Sequence, residues 1–479
     1  MNDFNDAGKQ KKVNGENKKK GYLFIIYIFF FLFMSLLIYQ GYFIFVKSDA
    51  FINNPYNPRI VSLDREVIRG KIFGSNGEVL ADTKEGPGGA KIREYPYGNL
   101  FCHTIGYMNR GRSGIELSAN SLLTSSHQFA PEQIKKLARG EKLIGDNVIT
   151  TLDPALQKEA YNQIITQKGA IIVMNPSTGA ILAEASKPTF DPNTVKVNWN
   201  NISNDPNSSL LNRCIQGLYP PGSTFKVLTA LSYLRDGGKM EDTFHCSGSY
   251  KAGNYVVHCA YNEAHGTQNL TQAFANSCNV TFSQIGLLLS KGRLRDTCED
   301  FYFNKNINTD RNNIRKSKIT LKDKESKAQI MSTSFGQGQT LVTPFEMCLV
   351  ASTVCNNGIM MRPYVVDRVE NTNGDVVKST KQKELKRVMS ENEAQKLESM
   401  MRAVVTKGTA KYYFRGNKNY TAYGKTGTAE WNDKKHTHSW FIGYAKNGEK
   451  QIAIAVILEN TDKVAAVSAE KVFSYYFSR

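Results

Sequence analysis

The chain has 479 residues, 41% of them apolar and 22% charged, and a formal net charge of +18. That length supplies two or three folded units with ample core material, and the apolar share excludes a chain disordered throughout. A basic surface is drawn to phosphate, yet there is no zinc-finger spacing and no Lys/Arg stripe interleaved with aromatics, so a nucleic-acid partner is excluded; the charge reads as lysines on solvated faces, suited to anionic lipid headgroups or wall polymers.

In chain order, residues 1–22 form a basic tail carrying Lys9, Lys11, Lys12, Lys18, Lys19 and Lys20. Residues 23–46, "LFIIYIFFFLFMSLLIYQGYFIFV", contain no charged side chain and are long enough to span a bilayer as a helix. The lysines before the run predict a cytoplasmic amino terminus with the remainder across the membrane. The run exceeds a signal-peptide h-region and lacks an A-x-A-like exit, so it reads as an uncleaved single-pass anchor.

Residues 48–150 are expected to form a β-rich pedestal. In "EVIRGKIFGSNGEVLADT", Asn76-Gly77 separates two apolar stretches, a hairpin signal. "GRSGIELSANSLL" reads as a loop entering a short helix, and nowhere does this stretch gather catalytic residue types. A second unit, 151–479, opens with Asp153 as N-cap and Pro154 at the first helical position. "GAIIVMNPSTGAILAEAS" reads as a hairpin of a sheet core, and helices are expected to dominate from 223 to about 290. Lysine- and asparagine-rich loops follow around 303–325. In "VTPFEMCLVASTV", Thr343 is the expected cap, Pro344 the first helical residue and Glu346 the closing residue of a capping box. Strands return in "AYGKTGTAE", "SWFIGYA" and, after a turn at Asn447-Gly448, "IAIAVILE". This order predicts an α+β domain whose antiparallel sheet is completed by its last segment.

Eight cysteines are present: Cys102, Cys214, Cys246, Cys259, Cys278, Cys298, Cys348 and Cys355. Cys246 and Cys259, flanking the hairpin-like "SGSYKAGNYVV", are the best candidates for a disulfide in an oxidising compartment. His245 and His258 beside them raise a metal site, but the tight ligand pairs usual for zinc are missing, and buried free thiols are expected instead. His436 and His438 are read as loop or strand-edge residues near a cleft, and Cys278 as a packing residue.

"PPGSTFKVL" sets Ser223 three positions before Lys226 at a helix start, so the two side chains share a face. A serine hydroxyl attacks only once its proton is taken, and a lysine takes it only when burial or a neighbouring cation lowers its pKa. A helix amino terminus adds N–H donors beside the reacting centre. Taken alone, the pair reads equally as a capping serine beside a surface lysine. Downstream, "ANSCNVTF" supplies Ser277 and Asn279, and "YGKTGTAE" supplies Lys425, Thr426, Gly427 and Thr428.

S-x-x-K, S-x-N and K-T-G in that order are the signature of the penicilloyl serine transferases. The chain resembles class B penicillin-binding proteins of the penicillin-binding protein A/2-like kind, in "YPPGSTFK", "HGTQNLTQAFANSCNVTF", "GQGQTLVTPFEM" and "GKTGTAEW", and more loosely in "RGKIFGSNGEVLA" and "GRSGIELSAN". The resemblance implies the transpeptidase fold, an antiparallel sheet flanked by helices, and a membrane-anchored D,D-transpeptidase cross-linking peptidoglycan stem peptides and acylated by β-lactams. It implies Ser223 as nucleophile, Lys226 as its base, Ser277 as proton relay and Asn279 as the group that orients Lys226 and binds substrate backbone. Lys425, Thr426 and Thr428 would hold the terminal carboxylate, Gly427 would leave room for substrate, and the N–H groups of Ser223 and Thr428 would form the oxyanion hole. No cofactor and no metal are implied, and a polytopic glycosyltransferase and other wall-synthesis proteins are the implied partners. Roughly a hundred residues between anchor and transpeptidase unit leave no room for a glycosyltransferase domain. The middle motif is Ser-Cys-Asn, and no E-x-x-L-N follows to supply a deacylating glutamate. Two other classes stay open: a hydrolase, either D,D-carboxypeptidase or β-lactamase, and a non-catalytic β-lactam or peptidoglycan sensor.

Overall fold

The computed structural model describes residues 3–44, 67–322, 324–431 and 433–479, with the backbone alone for 3–19 and 431–436. Residues 45–66, which hold the end of the expected anchor and the start of the expected pedestal, lie outside the described residues. The chain divides into two compact units, Met1–Leu63 and Asp64–Arg479.

In the first unit one helix, Asp3–Tyr42, runs through the basic tail as well as the apolar run. Its Lys20–Tyr42 portion, 23 residues of mean hydropathy 2.5, is long and apolar enough to cross a membrane, and its large side chains are exposed.

The second unit is built on a five-stranded antiparallel sheet in the order Thr421–Trp431, Asp433–Asn447, Lys450–Leu458, Gly169–Met174, Ile181–Lys187. The expected hairpin forms the two strands Gly169–Met174 and Ile181–Lys187, and the last three strands complete the sheet from the far end of the chain. Every residue of Gly169–Met174 is buried. A strand covered on both faces carries an unbroken apolar run, which is what "GAIIVM" is. The helices Pro344–Cys355 and Ala465–Phe477 both pack on the sheet, and the second lies beyond the expected elements.

Asp153 caps Pro154–Gln163 as expected, accepting from the N–H groups of Ala155 at 2.9 Å and Leu156 at 3.0 Å. The capping box at Thr343 is only half formed. Thr343 Oγ1 accepts from the Glu346 N–H at 3.1 Å, but burial turns the Glu346 side chain inward, its Oε1 has no partner, and the same burial pushes its carboxyl well up. The helical stretch expected at 223–290 is interrupted by four short strands, Thr243–Cys246, Ser249–Ala252, Tyr255–His258 and Gly266–Asn269. The middle two pair as the hairpin expected of "SGSYKAGNYVV"; the outer two, four residues each, are too short for two-residue alternation to stand out against their surroundings.

A six-stranded sheet lies beside this body, in the order Val376–Ser379, Val366–Glu370, Asn147–Thr150, Ile72–Phe73, Val79–Glu85, Lys91–Glu94. The Asn76-Gly77 turn joins Ile72–Phe73 to Val79–Glu85, with Gly77 at φ +88°. Two strands from residues 366–379 extend the sheet, Val366 pairing with Thr150. The "GRSGIEL" segment places Glu116 beneath it, where Arg69 Nε reaches one carboxylate oxygen at 2.6 Å and Arg93 Nε the other at 2.8 Å. Burial pushes that carboxyl up, but the two guanidinium groups outweigh it and hold it below the usual range.

Candidate active site

Ser223 sits in a 3₁₀ turn, Gly222–Phe225, that feeds the helix Lys226–Arg235. Side chains three apart eclipse in a 3₁₀ turn, so Ser223 and Lys226 face the same point. The turn is pinned from three sides: Trp440 Nε1 donates to Pro220 O at 3.1 Å, Gly222 N–H donates to Gly336 O at 2.9 Å, and Thr224 Oγ1 donates to Pro221 O at 2.7 Å. Gly222 has φ +52°, and a Cβ there would stand 2.5 Å from Thr428 O, so the turn presses directly on the KTG strand. Neither helical segment here has a side-chain cap, so Ser223 is not the capping serine that the spacing also allowed.

Lys226 is fully buried. Its Nζ donates to Ser277 O at 2.6 Å and to Asn279 Oδ1 at 2.8 Å, and lies 3.0 Å from Ser223 Oγ and 3.2 Å from Ser277 Oγ. The two oxygens that can only accept absorb two N–H groups. A neutral amine then has its lone pair left for a hydroxyl proton, and Ser223 offers one. Burial pulls Lys226 down to about 7, against the opposing pull of the nearby Cys278 and Cys259 sulfurs. Ser223 is half-buried, so the hydroxyl is reachable while the amine beneath it is not.

Ser277 is held at φ +57° between the helices Leu270–Ala275 and Asn279–Leu288. Its Oγ receives a hydrogen bond from Lys425 Nζ at 2.9 Å, which links the two lysines through one hydroxyl. Lys425 is fully buried on the strand Thr421–Trp431 and also donates to Thr426 O at 3.0 Å. Burial, and then the charge of Lys226, pull it well below the ordinary lysine value. Asn279 holds Lys226 through its oxygen, while its Nδ2 donates to His258 O at 3.0 Å. Among the described residues no carboxylate is hydrogen-bonded to Ser223, Lys226, Ser277, Asn279 or Lys425.

Thr426 and Thr428 lie two apart on one face of the strand, Thr428 exposed. Thr426 Oγ1 is 2.6 Å from Thr409 Oγ1. Thr409 carries no motif, and its place beside the KTG strand arises because Gly408 lets its loop settle on Ala275, where a Cβ would meet Ala275 O at 2.3 Å. The space at Gly427 is occupied by protein: a Cβ would stand 2.9 Å from Thr224 Cγ2, 3.1 Å from Trp440 Cβ and 3.2 Å from Pro221 O. This glycine admits the Ser223 turn against the strand. Gly427→Ala is therefore expected to cost about 1–3 kcal/mol of stability by overpacking and to slow acylation by a penicillin. Denaturant melts and an acylation time course check both.

His438 is a buried strand residue, edge-on to Tyr219 at 5.6 Å, with Nδ1 accepting from Asn460 N–H at 3.2 Å. It therefore packs inside and does not sit at a cleft edge; the side chain of His436 lies outside the described residues. His245 and His258 are exposed, because strand alternation turns Phe244 and Cys246 inward and the histidines out. All eight cysteines are buried and free, and Cys246 Sγ stands 3.6 Å from Cys259 Sγ, unbonded.

Residues 169–476 match the family described as penicillin binding protein transpeptidase domain, and residues 69–148 match the penicillin binding protein A dimerisation domain. The chain is 28% identical over 443 residues to the peptidoglycan D,D-transpeptidase PbpA of Mycolicibacterium smegmatis, covering 86% of this chain and 88% of that one. It is 27% identical over 450 residues to the peptidoglycan D,D-transpeptidase MrdA of Acinetobacter baumannii, covering 80% of this chain and 66% of the relative. The fold is similar to that of penicillin-binding protein A from M. tuberculosis, solved as an imipenem acyl-enzyme complex, with a TM-score of 0.78, 26% identity and coverage of 85% of this chain and 98% of that one.

Proposed function

Because the chain belongs to the penicillin-binding protein transpeptidase family, we propose that it is a membrane-anchored peptidoglycan D,D-transpeptidase, joining stem peptides through a serine acyl-enzyme and trapped by β-lactams at the same serine. One observation carries the mechanism: the buried Lys226 Nζ meets Ser223 Oγ at 3.0 Å while Ser277 O and Asn279 Oδ1 absorb its N–H groups.

In the forward half-reaction Lys226 takes the Ser223 proton and Oγ attacks the carbonyl carbon of the penultimate D-Ala. The N–H groups of Ser223 and Thr428 receive the developing oxyanion. The tetrahedral species collapses by breaking the C–N bond, and the leaving amine of the terminal D-Ala takes a proton delivered through Ser277 Oγ, which lies between the two lysines. Lys425, with Thr426 and Thr428, holds the terminal carboxylate. In the second half an amine from a neighbouring stem attacks the ester, gives up a proton through the same route, and restores Ser223 as an amide forms.

Residues 23–46 anchor the chain by a single pass, with residues 1–22 cytoplasmic and the pedestal (48–150) and transpeptidase unit (151–479) outside. The six lysines ahead of the apolar run support that orientation. Glycan strands would come from a polytopic glycosyltransferase and other wall-synthesis proteins. The test supplies the purified full-length protein with nascent, uncross-linked glycan strands and analyses the digested products by mass spectrometry. Cross-linked dimers with loss of one D-Ala are expected. Shortened monomers alone would make it a carboxypeptidase, and an acyl-enzyme with neither product would make it a sensor.

A further inference from the structure

In the pedestal, the helix Ala130–Ala138 is fastened to the protein by polar side chains and turns its large apolar ones to solvent. Gln133 Nε2 donates to Ser126 O at 3.1 Å and to Gln128 O at 2.8 Å, and Lys136 Nζ donates to Gln128 Oε1 at 3.1 Å. No residue of the helix is buried. Ile134 is 67% exposed and Leu137 58%; three apart, they share a face with the exposed Ala130 and Ala138. Phe129 stands at the N-cap, 70% exposed, where a polar side chain would satisfy an orphan N–H and this one satisfies none. A single exposed apolar side chain needs no account, but three large ones on adjacent turns above a polar underside form a contact surface.

We propose that this helix docks on a lipid bilayer, with its apolar face seated at the boundary between headgroups and acyl chains. Charge favours lipid over a second copy of the chain. Lys135 and Arg139, four apart, stand on the flank next to the apolar face, and Lys142 follows; against Lys135, Lys136, Arg139 and Lys142 only Glu132 and Glu141 are negative. An apolar face bordered by lysine and arginine is the pattern of helices that lie in the membrane interface, where the cations meet lipid phosphates. A second copy would instead bring the same cations against these.

The path of the chain agrees. The strand Val67–Ile68 pairs in parallel with Leu143–Ile144, the strand that follows the helix and touches it. The polypeptide thus enters this unit one strand away from the docking face, and only residues 43–66 lie in sequence between that entry and the Lys20–Tyr42 helix, which is long and apolar enough to cross a membrane. Nine residues bury little apolar area, but in an anchored chain docking is intramolecular, and the tether raises the effective concentration. Docking rests on the membrane-anchor reading and not on the acyl-transfer chemistry.

The test uses full-length Leu137→Trp reconstituted in vesicles of phosphatidylcholine and phosphatidylglycerol in equal parts, beside the parent, whose three tryptophans set the background. The added emission should be shifted to the blue, and quenched when the acyl chains carry bromine. Adding Phe129→Ser and Ile134→Ser to that chain should relieve the quenching, with a thermal midpoint close to that of the parent because both side chains are exposed. Emission that bromine leaves untouched overturns the docking, as do disulfide-linked dimers of Leu137→Cys in the same vesicles, which would give the face to a second copy. Lys135→Glu with Arg139→Glu should weaken the quenching; quenching indifferent to that reversal overturns the part assigned to the basic rim. A protein that fails to float with the vesicles refutes anchor and docking together, whereas one that floats yet stays unquenched refutes the docking alone.

Discussion

Ser223→Ala is expected to abolish covalent labelling by a fluorescent penicillin while leaving the fold intact. The substitution removes the hydroxyl oxygen proposed to form the ester, and the serine is half-buried in a turn fixed by Trp440, Gly336 and Thr224 rather than by its own hydroxyl. Labelling should fall to background on a denaturing gel, with a thermal midpoint close to that of the parent. A label that persists at normal rate would sink the assignment. The site also names the competitor, because Ser277 Oγ is the other hydroxyl beside Lys226, at 3.2 Å. Peptide mapping of any residual adduct to Ser277 would move the nucleophile there.

Lys226→Ala should slow acylation by about 10²–10⁴-fold, the range for loss of a positioned general base. The change also strips the N–H donors from Ser277 O and Asn279 Oδ1, so Lys226→Gln is the companion variant: it keeps a donor but no base. Both should be slow if proton abstraction is what matters; rescue by Gln would reduce Lys226 to a structural donor. The parent's pH profile gives an independent reading. Acylation needs the neutral amine, so its rate should rise as pH climbs through about 7, where burial has brought Lys226, and level off above. A rate flat through that region, or falling with pH, would assign the base elsewhere.

Much of the fold was legible because its signals are local. "GAIIVM" is a short unbroken apolar run bounded by turn residues, and it is a buried inner strand. Asp153-Pro154 is a cap and a first-turn proline, and the structure has both. The half-formed box at Thr343 shows the limit of such signals. The spacing specifies that Glu346 can reach back, but burial of the whole helix Pro344–Cys355 decides that its side chain stays inside. The hairpin Ser249–Ala252/Tyr255–His258 was legible in "SGSYKAGNYVV", but the strands Thr243–Cys246 and Gly266–Asn269 were missed for a related reason, since a four-residue strand takes its identity from its partner, as Cys246 does from Gly266.

At the site, the order Ser223, Lys226, Ser277, Asn279, Lys425 carried the resemblance to the penicilloyl serine transferases, and the structure brings these five side chains together. By itself the sequence determined which groups are present, which of them share a local face, and that an uncharged apolar run, residues 23–46, precedes them. Only the tertiary structure decided that Lys226 and Lys425 meet at Ser277, that Gly427 makes room for the Ser223 turn, that Thr409 stands beside Thr426, and that His265 rather than His245 or His258 joins the cysteines. These contacts join segments tens to hundreds of residues apart. Their geometry comes from sheet register and from the desolvation that burial imposes, and neither is a property of any short stretch of chain.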